Sequence, residues 1–454
     1  MDISEMDELG VFADVESSAR SYCRSFPVVF DQAQGSHLYD LKGQAYIDFL
    51  SCAGSVNYGH NPKAVKAAVI DYLQRDGIQA ALDMHSRAKQ EFIYNFRKII
   101  LAPRALPYKM QFTSPTGTSV VESAVKLARK VTGRRHIVAF TNGFHGMSNT
   151  SLGLTGNRDN RQPGVDPYVF RMPFDGYLEG LDSIAYFERL VKDNSSGMDL
   201  PAAVILETIQ GEGGINVASA EFLQRLRQLT AEHGILLIVD DIQAGCGRTG
   251  TFFSFEPSGI TPDMVCLSKS LSGYGLPFAL LLHRPELDQW SPGEDNGTFR
   301  GNTLAFVAAT KTVQEFWSDD RLVKHIQANE AQLKEWLAEV TERFAGHIKD
   351  VRGRGLFYGI EFHDPALAAA VMRACFARRL IIERCGPVDQ VLKLMPALTI
   401  SSETLQAGLA SIFDAMQQVL EQGKLSDPDQ DVDPLVFING VAPVSYTHLR
   451  AHET

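Results

Sequence analysis

The chain of 454 residues is 44% hydrophobic and 21% charged, a composition typical of globular proteins, and it is long enough for two or three packed units. The formal net charge of −11 argues against a nucleic-acid surface, because phosphate binding requires clustered lysine and arginine side chains. No apolar run approaches the ~20 residues that cross a bilayer, and the acidic first residues do not resemble a signal peptide. We therefore expect a cytoplasmic protein that acts on small molecules, without nucleic-acid or membrane partners.

The first part of the chain predicts a small β unit and then a large α/β unit. Residues 37–50 alternate in polarity and carry a turn at Lys42-Gly43, which is typical of a hairpin. Over residues 61–318, helical periodicities alternate with short apolar runs. These runs are Ile137–Phe140, Ala202–Leu206, Ile235–Val239, Met264–Leu267 and Phe278–Leu282. Helices between buried strands predict a large domain built on a mostly parallel sheet.

The remaining residues predict a second, smaller α+β domain over 319–423. A charged helical stretch at 319–350 precedes strand-like runs and a final helix near 403–421. The strand-like runs are Leu356–Phe362, Leu380–Glu383 and Val391–Met395. We expect the N-terminal segment, residues 1–60, to join this domain in space. The tail at 424–454 has no core pattern, and its last residues read as sequence that does not belong to the fold.

Lys269 is the most informative single residue. It lies among small and apolar neighbours, downstream of an aliphatic run that ends in Asp240 and Asp241. A lysine in such surroundings can lose its proton near neutral pH and attack a carbonyl, as a Schiff-base lysine does. An aspartate at the carboxyl end of a buried strand can keep a pyridine nitrogen protonated. A lone pair of this kind is more often a surface lysine and a helix-capping acid, so the neighbouring loops decide the interpretation.

Four further loops carry residues that suit one ligand. They are Thr113–Ser119, Asn142–Gly146, Glu207–Gly214 and Asp240–Gln243. Hydroxyl residues and a glycine at a helix start expose N–H groups that suit a phosphate, although the same pattern also makes a simple N-cap. Phe144 could stack on a flat ring, although a single phenylalanine is more often part of the core. Because ligands of open α/β sheets bind at the carboxyl edge of the strands, these loops and Lys269 predict one shared site.

Other chemistry-bearing motifs are weak or missing. Gly245-Cys-Gly-Arg-Thr-Gly250 formally matches the glycine pattern of dinucleotide-binding proteins, which raises an NAD-binding oxidoreductase as an alternative. That pattern requires glycines that open a helix directly after a strand, whereas here residues 241–244 intervene and a poor helix start follows. The six cysteines form no Cys-x-x-Cys pair, so neither a metal site nor a disulfide framework is expected.

The order of these motifs resembles the class-III aminotransferases of the ornithine and GABA type, members of the fold-type I group. The resemblance runs from about residue 25 to 420 and rests on the loops described above, on Leu-Ser-Lys269 and on Gly297-Thr-Phe-Arg-Gly-Asn302. It implies a pyridoxal 5′-phosphate cofactor, a large, mostly parallel seven-stranded sheet domain, and a small α+β domain. It also implies a homodimer, or a dimer of dimers, with shared active sites.

Within that class the chain is most similar to the diaminobutyrate–2-oxoglutarate aminotransferases of ectoine biosynthesis. The similarity rests on Arg20–Pro27, Thr141–Met147 and Ser268–Pro277. The implied reaction converts L-glutamate and L-aspartate 4-semialdehyde to 2-oxoglutarate and L-2,4-diaminobutyrate, reversibly. Diaminobutyrate supply for siderophores, another ω-aminotransferase activity and an aminomutase remain as alternatives, because fold and cofactor do not determine the reaction.

The resemblance also assigns roles to individual residues. Lys269 and Asp240 are the expected catalytic residues. The expected cofactor-binding residues are Gly117, Thr118, Phe144, His145, Glu207, Asp240, Ile242, Gln243, Lys269 and Thr298, the last contributed by the neighbouring subunit. Gly117 and Thr118 would bind the phosphate, Phe144 and Ile242 would cover the two ring faces, and Gln243 would lie near the ring hydroxyl.

Two residues, Glu212 and Lys393, are expected to contact substrate. Ornithine-type members have an arginine where this chain has Lys393, and a lysine lacks the planar fork that binds a carboxylate with two hydrogen bonds. The interpretation of Lys393 as a carboxylate ligand competes with its lying on a solvated strand face. Ala53 stands where those members have an aromatic side chain, which weakens an ornithine assignment.

Overall fold

The computed structural model describes residues 9–161 and 163–421. The expected non-native tail, 424–454, lies outside the described residues. The strands are β1 Phe30–Gln34, β2 His37–Asp40, β3 Ala45–Asp48, β4 Lys109–Phe112, β5 Ile137–Phe140, β6 Val169–Met172, β7 Ala203–Leu206, β8 Ile209–Gln210, β9 Asn216–Val217, β10 Leu236–Asp240, β11 Met264–Leu267, β12 Leu280–His283, β13 Ile348–Arg354, β14 Phe357–Phe362, β15 Leu380–Ile381, β16 Glu383–Cys385 and β17 Val391–Leu394.

The α-helices differ widely in length, from a single turn to more than six turns. They are α1 Gly10–Val15, α2 Tyr22–Ser25, α3 Ser51–Gly54, α4 Lys63–Gln74, α5 Arg87–Phe96, α6 Gly117–Thr132, α7 Asn149–Leu154, α8 Ser183–Lys192, α9 Ala220–Glu232, α10 Thr303–Phe316, α11 Arg321–Arg343, α12 Pro365–Ala377 and α13 Ser402–Leu420. Within the described ranges, none of these helices has both the length and the apolar character of a membrane span.

The large sheet has seven strands in the order β4-β12-β11-β10-β7-β5-β6. All of its strands run parallel except β12, which is antiparallel to both of its neighbours. The predicted mostly parallel sheet is therefore confirmed. Strands β5, β7 and β11 are buried at every residue, because helices cover both faces of the sheet, and this burial explains their continuous apolar sequences.

The parallel strands bring the predicted loops together. Strands β5, β7, β10 and β11 all end at the same edge of the sheet, and each is followed directly by one of the loops that carries a candidate residue. Four residues separate the end of β4 from the start of α6, at the same edge. The sheet therefore converts residues that are distant in sequence into neighbours, as expected for a ligand site of an open α/β sheet.

Among the described residues, two four-stranded sheets and the two-stranded β8–β9 pair lie outside the large sheet. The predicted hairpin is formed by β2 and β3, and β3 also pairs in parallel with β15 near the end of the chain. The other sheet has the order β13-β14-β17-β16 and is antiparallel throughout. The predicted strand Leu380–Glu383 is therefore divided between two sheets, since Leu380–Ile381 pairs with β3 and Glu383 begins the strand that pairs with β17.

The predicted helix over 319–350 is too long. Helix α11 ends at Arg343, and residues 348–354 form the edge strand β13. An edge strand that is only partly buried tolerates charged side chains. The sequence of β13 is therefore as rich in charged residues as the helix before it, and the two look alike in sequence. Strands β4 and β6 were not among the predicted runs for a similar reason, since both are edge strands of the large sheet with little continuous burial.

The segment Gly245–Gly250 does not begin a helix. It forms consecutive turns in which the Arg248 side chain is fully buried. The guanidinium group donates hydrogen bonds to Asn57 Oδ1, to the Leu356 carbonyl at 2.9 Å and to the Pro396 carbonyl at 2.6 Å. This segment therefore has a structural role, because Arg248 connects it to three other parts of the chain. The helix start that a dinucleotide-binding loop requires is absent from this segment.

Candidate active site

Lys269 lies in a strained turn directly after β11. Its backbone has a φ of 45°, in the left-handed region that residues other than glycine rarely adopt. The hydroxyl groups on either side hold the turn, since Ser268 Oγ donates to the Phe278 carbonyl and Ser270 Oγ donates to the Gly54 carbonyl, both at 2.7 Å. Burial lowers the pKa of Lys269, which increases the neutral, nucleophilic fraction of its amine.

Asp240 and His145 form a buried pair at the end of β10. The two side chains are 4% and 1% exposed, and His145 Nδ1 lies 2.7 Å from Asp240 Oδ2. The other carboxylate oxygen accepts a hydrogen bond from the Ile242 N–H at 3.2 Å. The carboxylate is therefore fixed in orientation, and the histidine can stabilise its negative charge. His145 Nε2 is also buried, without a hydrogen-bond partner among the described residues.

The adjacent Asp241 has different surroundings. It is fully buried and accepts a hydrogen bond from the Ser254 N–H at 3.1 Å. Burial raises the pKa of Asp241 to about 7, against the opposing effect of the Ser254 hydrogen bonds. Asp241 therefore belongs to the packing around the turn that follows β10, whereas Asp240 faces His145.

Glu207 connects two loops at the edge of the sheet. Its carboxylate oxygens accept hydrogen bonds from the Phe144 N–H at 2.9 Å and the Gly211 N–H at 3.0 Å. Burial raises the pKa of Glu207 to about 7, although His145 opposes this shift. Because both oxygens are occupied by backbone groups, the geometry of Glu207 supports the position of the Phe144 loop.

The start of α6 and the apolar side chains of Phe144 and Ile242 border a region that we call the slot. Thr116 caps the helix by accepting a hydrogen bond from the Ser119 N–H, whereas the N–H groups of Gly117 and Thr118 have no partner within the helix. A Cβ atom on Gly117 would lie 3.2 Å from Ile242 Cδ1, so the glycine allows the helix start to approach that side chain closely. Phe144 is only partly buried and takes part in no described ring pair.

The Gln243 side chain lies beside this slot with one unsatisfied atom. Its amide nitrogen donates to the Ala53 carbonyl at 3.0 Å and to Glu212 Oε1 at 3.1 Å. Its amide oxygen is buried and has no partner among the described residues. A ligand with a hydroxyl group would satisfy this atom, and the free N–H groups of α6 at the positive end of the helix suit a phosphate. The residues present therefore fit a phosphorylated aromatic ring with a hydroxyl substituent.

Lys393 is held between two carboxylates. It is fully buried, and its Nζ atom lies 2.8 Å from Glu212 Oε1 and 2.8 Å from Glu383 Oε1. Burial alone would lower the pKa of Lys393, but the two carboxylates outweigh it and raise the pKa well above its ordinary value. Burial would raise the pKa of Glu212, but the charges of Lys393 and Lys269 lower it to about 2. The alternative of a solvated strand face for Lys393 is thus wrong.

Glu383 is a site residue that the sequence analysis did not identify. It ended a predicted strand and received no role, although an acidic residue in a run of buried apolar residues is itself a signal. Its pairing partner in the β16–β17 ladder is Lys393, which lies directly opposite. Tyr22, from the Arg20–Pro27 motif, also approaches this group: burial and the charges of Glu383 and Glu212 raise the pKa of its hydroxyl.

Thr298 lies apart from these residues. It is exposed in the loop before α10, and the adjacent Phe299 is 72% exposed. No hydrogen bond among the described residues connects Thr298 to the Lys269 cluster. The other predicted site residues lie together at one edge of the large sheet. Thr298 is the predicted residue that does not join them within the same chain.

Comparison with known protein families gives one extensive match. The sequence profile of the family described as Aminotransferase class-III matches residues 18–416. The diaminobutyrate–2-oxoglutarate transaminase of Streptomyces coelicolor is 52% identical over 422 residues, covering 92% of this chain and 100% of the relative. The transaminase of the same name from Vibrio cholerae is 53% identical over 406 residues, covering 89% of this chain and 98% of the relative.

Two solved aminotransferase structures have the same fold. The ornithine aminotransferase of Toxoplasma gondii ME49 superposes with a TM-score of 0.80 at 24% identity, covering 90% of this chain and 94% of its own. An S-selective transaminase from Arthrobacter sp. gives a TM-score of 0.82 at 22% identity, covering 91% and 97% of the two chains. These likenesses confirm the predicted fold-type I architecture.

Proposed function

The chain belongs to the class-III aminotransferases, and from this premise we propose that it transfers an amino group between L-glutamate and L-aspartate 4-semialdehyde, which yields 2-oxoglutarate and L-2,4-diaminobutyrate. Relatives that are 52–53% identical over about nine-tenths of the chain carry the name diaminobutyrate–2-oxoglutarate transaminase. The family and the fold identify pyridoxal phosphate as the cofactor. The reaction is reversible and has two half-reactions, one for each amino acid.

The residues around the slot divide the work of holding the cofactor. Gly117 and Thr118 would donate backbone N–H groups to the phosphate, and Asp240 would bind the pyridine nitrogen. Phe144 and Ile242 would cover the ring faces, and Gln243 would accept the hydrogen bond of the ring hydroxyl. Lys269 would bind the cofactor covalently. Bound in this way, pyridoxal phosphate supplies an electron sink for the negative charge that develops at the reacting carbon.

The protein's own contribution to catalysis is proton transfer and charge control. The Lys269 amine would carry a proton between the reacting carbon of the substrate and the bound cofactor, and burial, which lowers its pKa, keeps it competent as a base. Asp240 would place its carboxylate next to the bound cofactor, and the 2.7 Å contact with His145 Nδ1 fixes the direction of that carboxylate. Glu207 keeps the Phe144 loop in register by binding its backbone.

Glu212 and Lys393 allow one site to accept two kinds of amino acid. When glutamate binds, its α-carboxylate replaces Glu212 as a partner of Lys393. Glu212 is suited to exchange because it lies on a loop and its side chain is 32% exposed. Lys393 is a fully buried cation that two carboxylates hold beside the Lys269 turn. This is the single observation that supports the proposed substrates in addition to membership of the family.

An amino-donor screen tests the proposed substrates. The purified protein, saturated with pyridoxal phosphate, would be assayed for glutamate formation from 2-oxoglutarate with L-2,4-diaminobutyrate, L-ornithine or 4-aminobutanoate. We expect the highest kcat/KM with L-2,4-diaminobutyrate and no turnover by Lys269→Ala. A clear preference for ornithine or 4-aminobutanoate would contradict the substrate assignment while leaving the family unaffected.

We propose further that the protein is a cytoplasmic homodimer that supplies diaminobutyrate for ectoine. Its net charge of −11 supports a soluble enzyme. A deletion strain of the source organism should lose ectoine under salt stress and regain it when diaminobutyrate is added. A strain that keeps ectoine but loses a siderophore under iron limitation would assign the enzyme to the other pathway.

A further inference from the structure

The single turn α3 has a strained backbone. Ser51, Cys52 and Ala53 have φ angles of 48°, 50° and 53°, all in the left-handed region that residues other than glycine rarely adopt. Three such residues in succession persist only when the surrounding structure holds them in place. We call Ser51–Gly54 the left-handed turn. Because strain of this kind is concentrated at functional sites, the contacts of the turn indicate what it does.

Buried polar groups hold the start of the left-handed turn. Asp48 Oδ1 accepts hydrogen bonds from the Leu50 N–H at 2.8 Å and from the Ser51 N–H at 2.9 Å. The Ser51 hydroxyl donates to the carbonyl of Met395, directly after β17, at 2.7 Å. Asp48 is 2% exposed and Ser51 is 1% exposed, so water does not compete for these bonds. The turn is therefore fixed at its start by groups at the ends of β3 and β17.

The end of the left-handed turn contacts the loops that carry Gln243 and Lys269. The Ala53 carbonyl accepts a hydrogen bond from Gln243 Nε2 at 3.0 Å. The Gly54 carbonyl accepts one from Ser270 Oγ at 2.7 Å, and Ser270 directly follows Lys269. Because a carbonyl oxygen only accepts hydrogen bonds, the contact with Ala53 requires Gln243 to direct its amide nitrogen toward the turn. The amide oxygen of Gln243 then faces away from the turn, and it is the buried atom that has no partner among the described residues.

We propose that the left-handed turn is a positioning element for the cofactor, and that Ser51 is the positioning residue that holds it. This inference rests on the cofactor-binding roles proposed above for Gln243 and Lys269. The carbonyls of two successive residues bind the two loops, so a shift of the turn displaces both loops together. The left-handed backbone sets the direction of these carbonyls, because a right-handed turn would point them elsewhere.

Ser51→Ala tests this role because it removes the hydroxyl group that connects the turn to Met395. The visible absorption band of the cofactor-saturated protein and the rate at which pyridoxal phosphate is lost after dilution would be measured. We expect a shifted band, because the Gln243 oxygen no longer meets the ring hydroxyl in the same geometry. We also expect cofactor loss to be about three- to tenfold faster than in the wild type, the effect of one neutral hydrogen bond.

Ser258→Ala is the matched control. Ser258 is also a buried serine, and its hydroxyl donates to the Phe255 carbonyl at 2.7 Å, within its own short turn. Its substitution should leave the absorption band and the rate of cofactor loss as in the wild type.

Ser270→Ala is a second test that does not depend on the folding of the Ser51 variant. Ser270 Oγ accepts a hydrogen bond from the Asn57 N–H at 2.8 Å and donates to the Gly54 carbonyl, so its removal separates the turn from the Lys269 loop. We expect faster cofactor loss in this variant as well.

Two outcomes would overturn the inference. An unshifted band in Ser51→Ala would mean that the Gln243 oxygen keeps its position without the turn. Cofactor loss at the wild-type rate in Ser51→Ala, or in Ser270→Ala where the former does not fold, would mean that the turn serves packing alone. Failure of the proposed function is a separate result, because both measurements are made without substrate. It would be seen as a wild-type enzyme that holds the cofactor but does not use diaminobutyrate.

Discussion

At the scale of single residues, the two acids that follow one another at the end of β10 have separate tasks. Asp240 contacts His145 at 2.7 Å, whereas Asp241 accepts hydrogen bonds from Ser254. Successive residues of a strand point to opposite faces, so one carboxylate faces the slot and the other faces the packing behind it. A cofactor nitrogen bound in the slot would meet Asp240 only.

Replacing Asp240 with asparagine should keep the fold and weaken catalysis by several orders of magnitude. A neutral amide cannot hold a pyridine nitrogen protonated, so the electron sink is lost. Steady-state kinetics of Asp240→Asn and of the control Asp241→Asn measure the difference. Wild-type activity in Asp240→Asn together with inactive Asp241→Asn would reverse the assignment.

Asp241 should instead affect stability in a pH-dependent way. Its pKa of about 7 in the folded chain lies above its ordinary value of 3.8, so the folded state binds the proton more tightly than the unfolded state. The free energy of unfolding therefore falls as the pH rises through this range. Between pH 5 and 8, wild-type stability should fall by up to about 3 kcal/mol more than that of Asp241→Asn. Urea unfolding of cofactor-saturated enzyme at the two pH values measures this, and parallel pH profiles would contradict it.

Most of the site residues could be predicted because they follow buried strands. Asp240, Glu207 and His145 belong to loops at the carboxyl edge of the sheet. Ligands of open α/β sheets bind at this edge, so the order of the strands already indicates where these side chains meet. Glu383 could not be found in this way, because its importance depends on lying opposite Lys393 in the β16–β17 ladder. Cross-strand register is a tertiary property, and a single sequence does not reveal it.

At the scale of secondary-structure elements, the small antiparallel sheet carries a buried group of charged side chains at the candidate active site. Lys393 on β17 is paired with Glu383 on β16, and Glu212 reaches the same lysine from the loop after β8. A buried charge is stable only when it is paired, so removing one partner leaves the others uncompensated. The proposed binding of a substrate carboxylate to Lys393 would therefore also change the charge pairing that stabilises this sheet.

Lys393→Ala should raise the KM for glutamate and for 2-oxoglutarate about ten- to a hundredfold, because a charged hydrogen bond to the α-carboxylate is lost. It should also reduce the free energy of unfolding by roughly 3–5 kcal/mol, because Glu383 remains buried without a cation and Glu212 loses its charged partner. Lys349→Ala is the control, since that lysine lies in the same sheet but is 58% exposed. Glutamate kinetics that match the wild type would refute the role of Lys393 in carboxylate binding.

The prediction of elements succeeded where burial was continuous and failed at edges. The buried strands β5, β7, β10 and β11 agree with the apolar runs to within a residue or two. The edge strand β13 carries charged side chains on partly exposed positions and therefore looks like the end of the preceding helix. The conformation of β13 is determined by pairing with a neighbouring strand and not by its local sequence pattern.

At the scale of the whole molecule, one residue that is expected to bind the cofactor phosphate lies away from the candidate site of its own chain. Thr298 is exposed in the loop before α10, next to a Phe299 side chain that is 72% exposed. An exposed aromatic side chain of this size suits an interface with another subunit. We propose that this loop enters the active site of the neighbouring subunit, which a single sequence could suggest only through its resemblance to the family.

Subunit mixing tests the shared site. Lys269→Ala and Thr298→Glu should each be inactive alone, the second because a carboxylate would repel the cofactor phosphate. Mixed dimers should regain part of the activity, since one of their two sites then carries both changes and the other carries neither. Absence of recovery, under conditions where subunit exchange is demonstrated by mass spectrometry, would show that Thr298 does not act across the interface.

Lys269 is the lysine proposed to bind pyridoxal phosphate at the edge of the large sheet. The most direct test is reduction of the holoenzyme with borohydride, followed by peptide mapping with mass spectrometry. Because hydride converts a lysine–cofactor imine to a stable amine, we predict loss of the visible absorption band and one pyridoxyl phosphate group on the peptide that contains Lys269. A label on any other lysine, or an unlabelled protein that retains full transaminase activity, would contradict the account.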